Sequence, residues 1–541
     1  MNIRNLLHAS AIGIATILVA CTELANEATY ETSTGAAATY PAAQATRYCC
    51  DSPASLMPPP YWDEGRESYP QFDDNPVRQV AEAPVSTFSI DVDTASYARM
   101  RRFINDGLLP PADAVRTEEL VNYFTYDYQR PESRAQPFRA DIALFDAPWD
   151  ADRQLLRIGM KGFDIPAGKR PPANLVFLID TSGSMHSPDK LPLVQRSLRM
   201  LADAMDAGDR IALVAYAGSA GVVLAPTKGI EKLKILAAID GLRAGGSTAG
   251  GAGIALAYRL ASENYRDGAV NRVILATDGD FNVGISDPSR LEALIAEKRK
   301  SGIYLSVLGF GTGNLQDTTM QSLAQAGNGN ASYIDSFQEA RKVLVDEMGG
   351  TLFPIADDVK VQVEFNPAYV AEYRLIGYET RMLRREDFNN DRVDAGDVGS
   401  GHTVTALYEI VSPQSASRIV DPLRYGDNAP KRKAGVENGE VAWLRIRYKL
   451  PGESESRLIE QPVAAAARTG FAEAPADARF AAAVAGFGQL LRDSSSLGDF
   501  DWNDVLGIAD DARGEDSLGY RAEFTRLVRT AAGLARLAAA Q

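Results

Sequence analysis

Leu175-Val176-Phe177-Leu178-Ile179-Asp180-Thr181-Ser182-Gly183-Ser184 is the stretch that decides how this chain folds. Five apolar residues stand in a row without alternation, as in a parallel strand buried on both faces. At the carboxyl end of that run three oxygen-bearing side chains follow in the pattern Asp-x-Ser-x-Ser. The pattern alone is weak: average residue usage gives on the order of one chance match per ten chains of this length. Its position gives it weight, because ligands of open α/β sheets collect outside the carboxyl ends of the strands.

Outward from this stretch, residues 172–350 alternate between strand-like and helix-like patterns. A helix is predicted over 191–205 and strands over 211–216, 273–276 and 303–308. Between the last two, Asp287 as cap, Pro288 at the first turn and Gly302 beyond the end frame another helix. Such alternation implies a doubly wound, mostly parallel sheet. A second carboxylate, Asp278, ends the 273–276 strand, and the loop Gly245-Gly246-Ser247-Thr248-Ala249-Gly250 opens a helix and offers the Thr248 hydroxyl. Carboxylates, hydroxyls and water are the ligands that a hard divalent ion selects. The hydroxyls add no charge, so without a bound cation the two carboxylates should repel and leave the empty site looser.

The set resembles the metal-ion-dependent adhesion site of von Willebrand factor type A domains, and Asp180, Ser182, Ser184, Thr248 and Asp278 match its five positions. The resemblance implies that Ser182 and Ser184 bind metal directly, Thr248 directly or through water, and Asp180 and Asp278 largely through water. It also implies Mg²⁺, with Mn²⁺ as a substitute, and an acidic group of a partner protein as the captured ligand. Residues 88–97 (Phe-Ser-Ile-Asp-Val-Asp-Thr-Ala-Ser-Tyr) and 401–409 (Gly-His-Thr-Val-Thr-Ala-Leu-Tyr-Glu) look like segments of a bacterial lipoprotein subfamily of such proteins, the YfbK type.

Around the type A segment, helices are predicted over 94–106 and 118–124, and strands over 139–145 and 155–162. Strand patterns resume over 359–365, 373–378, 403–410 and 441–450, and the chain reads as helical from about 475 to 541. Two strands alone make no stable sheet, so 139–162 should pair with 359–450 in one β-rich unit into which the type A domain is inserted. The expected division is a signal over 1–20, a disordered tether over 21–80, an N-terminal flanking domain over 81–168, the type A domain over 169–350 and a C-terminal domain over 351–541. The last is β-rich over 355–465 and helical over 475–541.

The N-terminus carries Arg4, an apolar run over 9–20, and Leu18-Val19-Ala20-Cys21, which resembles the bacterial lipobox. Cys21 is then the lipidated residue and the membrane anchor, at the cell envelope and by sorting habit on the outer membrane facing the periplasm. Residues 22–80 are rich in Ala, Thr, Ser and Pro and would span roughly 40 Å as a flexible chain. Cys49 and Cys50 lie within them.

Composition narrows the function classes. The chain has 541 residues, 45% hydrophobic and 23% charged, with 56 Lys and Arg against 71 Asp and Glu for a net charge of −15. That balance argues against nucleic acid as a partner. Only three His and three Cys are present, which argues against zinc sites and Ser-His-Asp or Cys-His catalysis.

Four motifs fail on inspection. Asp91-x-Asp93 suggests a phosphatase nucleophile but has Ala95 where Thr is needed, and Gly168-Lys169 is followed by Arg170 where a phosphate loop needs Ser or Thr. Gly309, Gly311 and Gly313 lack the third spaced glycine of a dinucleotide loop. Asp387, Asn389 and Asp391 open like a calcium loop, but Arg392 and Val398 replace its Gly and Glu. His186, beside the metal motif, is a candidate partner contact, though such a residue is more often a solvated loop histidine. The leading expectation is a non-enzymatic, lipid-anchored metal-dependent binding protein. The alternatives are a metal-dependent assembly factor or enzyme, or a structural envelope protein with a stabilising metal.

Overall fold

The computed structural model describes residues 69–90, 93–246, 251–279, 288–312, 316–393, 395–421 and 439–540. The chain divides into two compact units, Met1–Tyr61 and Trp62–Gln541, and all described residues belong to the second. The signal, most of the predicted tether, Cys21, Cys49, Cys50, Asp91, Thr248 and Asp287 lie outside the described residues.

The apolar run at 175–179 is the middle of the strand Ala173–Asp180, every residue of which is buried. It is central in a six-stranded sheet. The order across that sheet is Ala331–Ile334, Ile303–Phe310, Val270–Thr277, Ala173–Asp180, Arg210–Tyr216 and Ala220–Lys228. All pairings are parallel except the last, where Ala220–Lys228 runs antiparallel at the edge. In chain order the strands read 6-5-4-1-2-3, a doubly wound arrangement whose direction reverses between Ala173–Asp180 and Val270–Thr277. Helices cover both faces. Leu193, Val194 and Leu198 of the helix Leu191–Ala204 pack with Phe177 and Leu213 on one side. On the other, Ile254 and Tyr258 of Gly251–Glu263 pack with Val176 and Leu178.

This α/β domain interrupts a β-sandwich, and here the structure refines the sequence expectation. The hairpin Phe138–Ala147 and Asp150–Gly162 pairs with Thr403–Val411, in register from Lys161–Thr403 to Arg153–Val411. Of the other late strands it pairs only with the two-residue Arg468–Thr469, parallel to Leu144 and Phe145. Pro354–Phe365 instead lies in a second sheet between Val85–Ser89 and Glu440–Lys449, with Ser456–Ala464 beyond. The reason is side-chain periodicity. Leu156, Ile158, Met160, Val404, Ala406 and Tyr408 face Val361, Val363, Leu444 and Ile446 in one buried layer between the sheets. The intervening Leu155 and Leu407 face away into a helical layer. Thr403–Val411 is buried on both faces, so a second sheet covers one of its apolar rows and helices cover the other. The helical layer is built from Ala476–Leu491, Trp502–Asp511 and Tyr520–Ala539, joined by Ala95–Asn105 and Thr117–Asn122.

The points where the chain enters and leaves the inserted domain are held side by side. Ile165 N donates to Ser400 Oγ at 2.8 Å, and Ser400 N donates to Phe353 O at 2.9 Å.

A buried ionic network ties Ala95–Asn105, the leader helix, to the inserted domain. Asp317, at the start of the helix Asp317–Ala326, meets Arg99 at 2.8 Å and Arg116 at 2.7 Å, with all three side chains at most 2% exposed. Arg101 joins Asp335, Glu339 at 2.7 Å and Glu523 of the C-terminal helix at 3.2 Å.

Candidate metal centre

The sheet reverses direction at the gap between Asp180 and Asp278, so the crevice there is the place where a doubly wound fold binds ligand. Ile179 is in register with Ala276, which sets the two strand ends beside one another. Gly279, with φ 93°, then turns the chain through a conformation that side chains avoid, and its N–H donates to Thr277 Oγ1 at 3.2 Å.

The loop after Asp180 is fixed from both sides. Thr181 N donates to Tyr216 O at 2.9 Å, Gly245 N to Thr181 O at 2.8 Å, and Gly183 N to Gly246 O at 3.2 Å. These bonds hold Gly245 and Gly246, which lead into Thr248, against the Asp-x-Ser-x-Ser loop. Thr248 itself is not among the described residues. Ser182 is buried and Ser184 exposed, with their hydroxyl oxygens 3.0 Å apart. Four of the five predicted side chains are therefore brought to one crevice.

Asp180 is fully buried, and its Oδ1 accepts the Ser182 N–H at 2.7 Å. Its Oδ2 has no hydrogen-bond partner of good geometry among the described residues, although the Tyr216 hydroxyl lies close by. Burial pushes the Asp180 carboxyl up to about 6, against the pull of the Ser182 hydrogen bonds and helped by the charge of Asp278. An under-bonded buried carboxylate oxygen beside two hydroxyls fits a hard cation or the water bound to it.

One residue was missed at the sequence level. Lys190, 7% exposed, donates its ammonium to Asp278 Oδ2 at 2.9 Å. The repulsion expected in the metal-free site is thereby reduced: the protein supplies one compensating charge itself. A signal for it was present in the failed glycine motif. Gly311 has φ 75°, and a Cβ there would stand 2.3 Å from Lys190 Cγ, so the glycine makes room for the lysine stem. Lys190 directly precedes the helix Leu191–Ala204, where a lysine reads as ordinary surface.

The remaining candidates have structural partners. Asp93 Oδ1 accepts Ala331 N at 2.9 Å, and its Oδ2 lies 3.4 Å from Arg381. Asp387 is bound by Arg384 and Asp391 by Arg447 and Ser456, so these acids serve ion pairs and not a calcium loop. His186 is exposed beside Ser184. Among the described residues no cluster of three or more His, Cys, Asp or Glu could hold a metal, which leaves the mixed carboxylate and hydroxyl set.

A doubly wound sheet bearing Asp-x-Ser-x-Ser at its switch point is a von Willebrand factor type A domain, and residues 174–346 match the model of that family. Residues 63–157 match a model described as von Willebrand factor, and residues 350–534 one described as the C-terminal part of uncharacterized protein YfbK. The chain is 49% identical over 478 residues to uncharacterized protein YfbK of Escherichia coli (strain K12), covering 87% of this chain and 82% of that protein. It belongs to the YfbK family. Among solved structures it is similar to a von Willebrand factor type A protein from Catenulispora acidiphila, at 18% identity with 74% of this chain and 91% of that chain covered, TM-score 0.37. It is also similar to proximal thread matrix protein 1 from the mussel byssus, with a zinc-occupied adhesion-site motif, at 25% identity, 33% and 45% coverage and TM-score 0.27.

Proposed function

We propose that the protein is a lipid-anchored envelope receptor whose type A domain binds Mg²⁺ and, through it, a carboxylate of a partner protein. The observation that carries the reading is the under-bonded Asp180 Oδ2 in a crevice that also gathers Ser182, Ser184 and Asp278. Type A domains commonly bind a divalent ion at such a site and engage other proteins through it. Here Ser182 and Ser184 would hold the ion directly, with Asp180 and Asp278 behind them and Thr248 completing the set; Mn²⁺ would substitute. A bound divalent ion supplies Lewis acidity toward one more oxygen ligand. The chain's own residues fix the loop, neutralise part of the acid charge through Lys190 and expose Ser184 at the mouth.

Binding, not turnover, is the activity proposed, since both acids at the strand ends are committed to the ion and, among the described residues, no further base stands with them. Cys21 would carry the lipid that holds the protein to the envelope, most simply at the outer membrane facing the periplasm. No helix among the described residues is long and apolar enough to cross a membrane.

The test is crosslinking in intact cells followed by pull-down with and without chelator. A partner lost on chelation and restored by Mg²⁺ supports the reading. A partner retained in chelator, or turnover of a phosphoester panel, overturns it.

A further inference from the structure

We infer that the protein has a second ligand site, at the opposite end of the type A sheet, in which the Arg272 guanidinium binds a small monocarboxylate bearing hydroxyl or amide groups. The strand Val270–Thr277 runs from Arg272 to the metal crevice, about 20 Å away at some 3.3 Å per residue, so the two sites do not share residues.

The first ground is an unbalanced buried charge. Arg272 is 3% exposed. Its Nη1 donates to Ser306 Oγ at 2.6 Å, its Nε has no partner, and no carboxylate among the described residues lies within ion-pair distance. Burial pulls the guanidinium down to about 10, with the charge of Asp397 opposing from farther off. It remains cationic at neutral pH. Every other fully buried arginine named above has an acid against it. A buried cation left without one is costly unless something else supplies the anion.

The second ground is a cavity. Arg272 lines a space of about 240 Å³ between the type A sheet and the β-sandwich. That is below the roughly 300–1,000 Å³ of pockets for drug-sized ligands, so it suits a small molecule. Its floor is polar where the rest of that sheet face is apolar: Arg272 and Ser332 line it, with Ser306 behind Arg272 as its hydrogen-bond partner, on the strands where Ile274, Leu308 and Ile334 continue the face. Asn330 and Gln325 add amides at the wall.

Charge selects within the anions. A guanidinium fork matches carboxylate and phosphate alike. However, Asp93, Asp397 and Glu347 line the same cavity against Arg272 and Arg381, with Arg381 already paired to Asp93, and the acidic excess disfavours a doubly charged phosphate more than a singly charged carboxylate. The side-chain amides and hydroxyls would then pair with polar substituents of the ligand.

The test uses the full chain in EDTA, so that failure of the metal reading does not affect it. Thermal unfolding is followed with gluconate, lactate, inorganic phosphate and, as a neutral control, erythritol. A saturable rise in melting temperature with gluconate or lactate, absent with erythritol, is expected. Arg272→Met should weaken it roughly ten- to a hundredfold, as for loss of a charge-assisted hydrogen-bonded pair. Without ligand the same variant should melt no lower than wild type, because the unbalanced charge is gone. Should Arg272→Met fail to fold, Ser306→Ala should still weaken the response. A wild-type protein unresponsive to both carboxylates, an equal response in the variant that folds, or a larger response to phosphate overturns the proposal.

Discussion

Asp317→Asn isolates the contribution of the buried network that joins the leader helix to the type A domain. Asp317 is 1% exposed and contacts Arg99 at 2.8 Å and Arg116 at 2.7 Å. Burial would raise its carboxyl, but the charges of Arg116 and Arg99 outweigh burial and hold it down to about 2. An ordinary aspartate titrates near about 3.9, so the depression corresponds to roughly 2.5 kcal/mol of folding stability at neutral pH. Because the folded value is depressed, that stability is present above about pH 3.9 and is lost as pH falls through about 2. Removing the acid from two buried guanidinium groups should therefore cost about 3 kcal/mol at pH 7, at the lower edge of the range for broken buried pairs. Urea unfolding followed by far-ultraviolet circular dichroism, from pH 7 down to pH 2, is the assay. The gap between wild type and variant should be full at pH 7 and close between about pH 4 and pH 2. A loss under about 1 kcal/mol, or a gap that does not narrow in acid, refutes the reasoning.

Asp180→Ala should abolish Mg²⁺ uptake by calorimetry while the circular dichroism spectrum stays native, and undiminished uptake would contradict the proposed centre. Lys190→Met removes a cation that competes with the metal for Asp278, so Mg²⁺ affinity should rise roughly tenfold or more while the metal-free protein becomes less stable; an unchanged affinity would show that Lys190 does not compete. Thr248→Ala should weaken partner capture more than metal uptake, and equal losses of both would assign Thr248 to the ion alone. Cys21→Ser should eliminate incorporation of a fatty-acid probe, and equal labelling of both proteins would end the anchoring proposal.

The central architecture was legible because fully buried parallel strands leave an unmistakable mark: residues 175–179 have no polar interruption. The edge strand Ala220–Lys228 was not legible. Its Val222 and Val223 are exposed and adjacent, so it shows neither a buried run nor a clean alternation. The pairing of 138–162 with the late strands followed from the need to complete a sheet, but its partition into two sheets did not. That depends on which face of Thr403–Val411 meets helices and which meets Pro354–Phe365, and a strand buried on both faces hides its own direction. At the metal centre the acids and hydroxyls were readable from their spacing. Lys190 was not, because its contact with Asp278 depends on Gly311, far away in sequence.

The clasp at Ser400 bears on the order in which the molecule assembles. Lys161 and Thr403 are in register although about 240 residues separate them, and non-local pairings of that kind slow folding. If the α/β domain forms first, its entry and exit come to lie side by side, where Ile165 and Phe353 both bind Ser400. The effective loop then shrinks from about 240 residues to about 60. At roughly 0.6 kcal/mol per doubling, closure becomes about 1.2 kcal/mol cheaper. The inserted domain thus acts as an internal template for the sandwich, and damage to its core should appear first as delayed closure of the sheets that surround it.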